Sequence, residues 1–161
     1  MSAEDQVLAA TFNEQIATGA GLIALSVIIH CVGLFTLRRL ILSEGSGVPV
    51  SRWTPLSFKG GLFTVLTVFA LILLHMIEIW LYAFFYDFVR ALPSFREALY
   101  FSTISYATIG YSDEAIAREW RMVAALEGIL GVILLGWSTA FFVRVLGRLE
   151  GDHSDRSADE S

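Results

Sequence analysis

The chain of 161 residues is short of charge, cysteine and proline: 17% of its residues are charged, and it has one cysteine and three prolines. A soluble domain has about 25% charged and about 45–50% apolar residues, whereas 55% of this chain is hydrophobic. Cys31 alone excludes an intrachain disulfide and leaves the redox compartment open. No basic run points to a nucleic acid, so none is expected as a partner. H-E-x-x-H is missing and no Ser, His and Asp set stands out, so an enzyme is not expected. The net charge of −5 comes from acidic ends rather than from an acidic surface that would recruit a partner, and no soluble partner is evident. The N-terminal stretch holds Glu4, Asp5 and Glu14 and neither Lys nor Arg. Without the basic n-region of a cleaved signal peptide, the first apolar segment is expected to be retained.

What the chain does have is apolar sequence, gathered into three long segments over residues 15–42, 60–86 and 122–146. Each exceeds the roughly 20 residues that a helix needs to cross the hydrocarbon core, so the lipid bilayer is the expected surrounding. Gly45, Gly47, Pro49 and Pro55 break any helix between the first two. The organisation read from this is an extracytoplasmic segment 1–14, a helix 15–42, a cytoplasmic loop 43–59, a module 60–146 and a polar, acidic tail 147–161 expected to be disordered. No ligand-sensing domain is expected after the third span, so gating is expected to come from the membrane part or from partners.

Orientation follows from the basic residues near the span ends. Arg38, Arg39, Arg52, Lys59, Arg144, Arg148 and Arg156 fall on one side, and Arg90, Arg96, Arg118 and Arg121 on the other, seven against four. The protein is therefore expected in a cell (inner) membrane with its N-terminus outside and its C-terminus in the cytoplasm. Trp53, Trp80 and Trp120 near span ends suit interfacial anchors.

Between the second and third spans, Ser94 and Glu97 have the spacing of a capping box, which predicts a helix over 95–106. At about 1.5 Å per residue it is about 18 Å long, enough to enter a bilayer but not to cross it. The negative end of its dipole would favour a cation. An extended segment from Thr108 to Tyr111 follows, returning through Asp113 and Glu114. Backbone of that kind is tolerable at membrane depth only where it lines water or is buried in protein.

The stretch Tyr100-Phe101-Ser102-Thr103-Ile104-Ser105-Tyr106-Ala107-Thr108-Ile109-Gly110-Tyr111-Ser112-Asp113 resembles the pore helix and selectivity filter of the two-transmembrane potassium channel superfamily. The resemblance extends over the outer helix, pore loop and inner helix, with the first span as an addition. It implies an all-α membrane protein: three transmembrane helices plus a re-entrant pore helix and filter loop, in a tetrameric potassium-channel-like architecture. It also implies a homotetramer, because one chain supplies a quarter of the filter. The expected filter is Thr108, Ile109, Gly110, Tyr111 and Ser112. Potassium ions would be held by the backbone carbonyls of Thr108 to Tyr111 and the Thr108 hydroxyl, replacing the ion's hydration shell. No organic cofactor is expected.

Two positions depart from the family's pattern. Ala107 replaces a common threonine, and Ser112 replaces the glycine at the outer end of the filter. A serine at positive φ costs about 1 kcal/mol, which a packed tetramer could absorb. A flipped peptide there would instead relax selectivity. The reading is a potassium-preferring channel, with a weakly selective monovalent cation channel and a non-conducting channel-like module as alternatives.

His30, His75, Glu78 and Glu127 lie within apolar spans, where ionisable groups are costly and face protein or water. By helix rise, Glu78 and Glu127 share the level of the 95–106 helix. They are expected to join Ser102, Ser105 or Tyr106 and, with Asp113, to support the filter, either as a pH-sensitive brace or as plain packing hydrogen bonds. A haem between His30 and His75 is a further alternative. Gly131 and Gly136 in the third span suit a hinge or a close packing contact, and Phe141 a hydrophobic constriction.

Overall fold

The computed structural model describes residues 3–42, 58–110 and 115–159, and no strand occurs among them. Helix α1 is Ala3–Leu42, α2 is Phe58–Phe88, α3 is Phe95–Tyr106 and α4 is Arg121–Asp159, entered through a short 3-10 turn, Arg118–Trp120. Stretches within α1, α2 and α4 (Phe12–Ile41, Phe58–Phe88 and Arg118–Gly147) are long and apolar enough to cross a membrane. α3, with 12 residues, is too short to do so. The protein is an all-α, multi-pass membrane protein.

Two boundaries differ from expectation. α1 begins at Ala3, so most of the 1–14 segment is helical, and α4 continues to Asp159 through most of the tail expected to be disordered. The reason is shared. No proline interrupts either stretch, and extending an existing helix adds one hydrogen bond per residue without the cost of a new nucleus. Polarity alone does not end a helix.

The described chain forms two compact units: Met1–His30 with His75–Leu135, and Cys31–Leu74 with Gly136–Ser161. In the first, Tyr82, Tyr86, Phe101, Val123, Leu130 and Leu134 form a core drawn from α2, α3 and α4. Aromatic edges organise it, with Tyr86 meeting Phe101 at 89° and Phe85 meeting Trp120 at 87°. Gln15 Oε1 accepts from the Met122 amide, satisfying a donor in the first turn of α4.

In the second unit, Gly33 lies directly against the Leu74 side chain, so a Cβ at position 33 would force that leucine aside. Phe141 lines a groove with Cys31, Leu34, Phe35, Arg38, Trp137 and Arg144. Thr64 and Thr67 donate to the carbonyls of Gly60 and Phe63 one turn back, which removes their hydroxyls from the apolar surroundings.

Candidate functional site

α3 starts where the capping pattern says it should. Ser94 is extended, and its hydroxyl accepts from the Glu97 amide at 3.3 Å. The other end carries the candidate filter. Ala107 closes the helix, Thr108 donates its amide to Ser105 O at 3.0 Å, and Ile109 donates to Ile104 O at 2.9 Å. These two bonds make a Schellman cap, which needs a left-handed residue where Thr108 stands. Thr108 has φ +57°, and Gly110 has φ +99°.

The expected extended segment is therefore corrected at Thr108. The last carbonyls of a helix need partners, and the Thr108 and Ile109 amides supply them by turning back. The cost is a β-branched residue in a region it rarely visits, about 1–2 kcal/mol. Strain of this kind persists where surrounding structure over-determines it, and it concentrates at functional sites. Ile109 and Gly110 are exposed beside an open cleft lined by Tyr100, Phe101 and Ile104. Tyr111, Ser112 and Asp113 lie outside the described residues.

Two buried carboxylates flank α3. Glu127, on α4, accepts from the Tyr86 hydroxyl at 2.8 Å and from the Ser102 hydroxyl, which also lies 2.9 Å from Ile79 O. Glu78, on α2, accepts from the Tyr106 hydroxyl at the end of α3. Its two oxygens also meet His30 Nδ1 at 2.8 Å and His75 Nδ1 at 3.2 Å, and His75 Nδ1 is 2.9 Å from the Tyr106 oxygen. Ser105 donates to Ala124 O at 3.0 Å. α3 is thus tied to α2 through Tyr106 and Ser102 and to α4 through Ser102 and Ser105.

The candidate residues divide accordingly. Glu78 meets Tyr106 and Glu127 meets Ser102, in two separate clusters rather than one. Both histidines converge on Glu78 with ring centroids 5.4 Å apart, which leaves no slot for a porphyrin between them. Tyr86 has no place in the sequence reading. Its signal was the spacing of Glu78, Tyr82 and Tyr86, which puts all three on one face of α2. Gly131 is a close packing contact. A Cβ there would overlap the Tyr106 carbonyl oxygen and lie 2.9 Å from its carbon, and one at Gly128 would be 3.4 Å from Ser105 O. Gly136 meets nothing within 4 Å.

A family model described as ion channel matches residues 62–148, which takes in most of α2, all of α3 and the membrane part of α4. No curated protein and no solved structure matches the chain. α1, with His30, lies outside the matched range.

Proposed function

The chain belongs to the ion-channel family, and from that premise we propose that it forms a homotetrameric, potassium-preferring channel with its filter built on Thr108 to Ser112. The observation that carries this reading is a capped half-helix, Phe95–Tyr106, held between two membrane-spanning helices and ending on Thr108-Ile109-Gly110. Ions in the filter are potassium, held by backbone carbonyls and the Thr108 hydroxyl. The channel sits in an inner membrane, N-terminus outside and C-terminus in the cytoplasm, as the basic residues at the span ends argue.

Four filter segments must straighten around one axis to face an ion. Thr108 leaves the left-handed region on doing so, and the Ile109 and Gly110 amides release Ile104 O. Two such bonds are worth about 1 kcal/mol each, against about 1–2 kcal/mol of relieved strain. The change is close to balanced, so contacts with neighbouring subunits decide it. Ser112 supports a second reading, a weakly selective monovalent pore, in which the outer filter stays relaxed.

The test is flux in reconstituted liposomes with potassium, sodium and an impermeant control, with barium block and a Gly110→Ala variant. Potassium-dominated, barium-sensitive flux lost in the variant is the expected result. Equal potassium and sodium flux moves the conclusion to the second reading. No flux from verified tetramers refutes both.

A further inference from the structure

The cluster around Glu78 has a composition that filter support alone does not require. We propose that His30, His75 and Glu78 form a binding site for a zinc-like divalent cation, with the Tyr106 hydroxyl as fourth ligand. Two imidazoles and a carboxylate are the donor types zinc takes, and tetrahedral coordination completed by a fourth ligand is its usual geometry. With metal–donor distances of about 2.0–2.1 Å, donors around a tetrahedral ion stand about 3.3 Å apart. Here His30 Nδ1 stands 2.8 Å from Glu78 Oε1, and His75 Nδ1 stands 3.2 Å from Glu78 Oε2 and 2.9 Å from the Tyr106 oxygen. One donor atom from each of His30, His75 and Glu78 lies within 4.8 Å of the others, so a small outward movement admits the ion.

Charge and access favour the same assignment. A divalent ion with two neutral imidazoles, one carboxylate and one phenolate has no net charge, the condition a site within a membrane span most needs. The Tyr106 hydroxyl proton leaves to water, and each imidazole carries its proton on Nε2 while Nδ1 binds. His30 and Glu78 are fully buried, whereas His75 is 12% exposed and offers the way in. The cluster around Glu127 holds no histidine or cysteine and suits only hydrogen bonding. The ligands come from α1, α2 and the end of α3, so a bound ion would fasten the first helix to the base of the filter. That reaches beyond the range shared with the ion-channel family, and it does not require the chain to conduct.

Cobalt(II) is the probe, added to the untagged full chain in detergent or nanodiscs. One ion per chain is expected, with the visible bands of a tetrahedral site, displaced by zinc. His75→Ala and Glu78→Gln should each lower affinity by more than the 10–100-fold typical of losing an outer-shell partner. Tyr106→Phe, which removes a ligand and its charge and leaves water to fill the position, should also weaken binding and change the spectrum. His153→Ala, which removes the third histidine of the chain, should change nothing. Glu78→Gln keeps side-chain size and one acceptor oxygen, so it remains informative should His75→Ala fail to fold. Wild-type binding equal to that of Glu78→Gln, including no binding by either, overturns the proposal. It does so whatever the flux assay reports.

Discussion

α2 and α3 end in the same way, and only one of the two ends is covered. At the end of α2, Arg90 takes φ +54°, its amide bonds Asp87 O at 3.1 Å, and the Ala91 amide bonds Tyr86 O at 2.9 Å. At the end of α3, Thr108 takes φ +57°, with the equivalent pair of bonds to Ser105 and Ile104. Both are Schellman caps built on a residue other than glycine. The residue after Arg90, Ala91, is 5% exposed and belongs to the core, whereas the residue after Thr108, Ile109, is 74% exposed. A cap sealed by its own chain is a structural joint. A cap of the same geometry left open, on a backbone able to carry ion ligands, is suited to completion by neighbouring subunits.

The open cap at the end of α3 is lost most completely if the support beneath it is forced away. Gly131→Val pushes a side chain into the Tyr106 backbone, and overpacking of that kind should cost about 3 kcal/mol. Thermal unfolding in detergent would show it, with Gly136→Val as a control near zero because nothing lies within 4 Å of that position. Next in size is Glu127→Ala. It strips the Tyr86 and Ser102 hydroxyls of a buried acceptor, at a cost of about 2–3 kcal/mol, while Glu127→Gln should stay within about 1 kcal/mol. Equal losses in the two variants would mean that the carboxyl's hydrogen bonds do not hold α3.

Two smaller effects separate the end of α2 from the end of α3. Glycine relieves about 1–2 kcal/mol of left-handed strain and returns about 0.5–1 kcal/mol in chain entropy. Arg90→Gly and Thr108→Gly should therefore both raise stability by up to about 1 kcal/mol. Their flux should differ: Thr108→Gly changes the ratio of potassium to sodium, and Arg90→Gly leaves it alone. A selectivity change in Arg90→Gly as large as in Thr108→Gly would erase the distinction between the ends. Smallest is Ile109→Ser, expected within about 0.5 kcal/mol for secondary structure because the side chain is exposed. It should weaken the proposed tetramer, read as a shift in elution volume.

Much of this was legible from spacing. Apolar runs too long for a soluble core mark the three spans, and Ser94 with Glu97 marks the start of α3, because capping is a local interaction. The level of Glu78 and Glu127 could be found by counting rise along the helices. What counting could not supply was rotation about each helix axis. That is why the two carboxylates were expected in one cluster and occupy two, and why Tyr86 was passed over. The tail was misjudged for a different reason: polarity argues against burial but not against helix.

Length, apolarity and capping act over a few turns of chain, so three membrane spans and a half-helix before Thr108-Ile109-Gly110 could be read from local pattern. Long-range packing fixes the rest: Gly131 seats the end of α3, Thr108 turns left-handed, and His30 and His75 meet at Glu78. Those outcomes depend on side chains as many as 48 positions apart in the chain sharing one volume, and local pattern carries no record of such meetings.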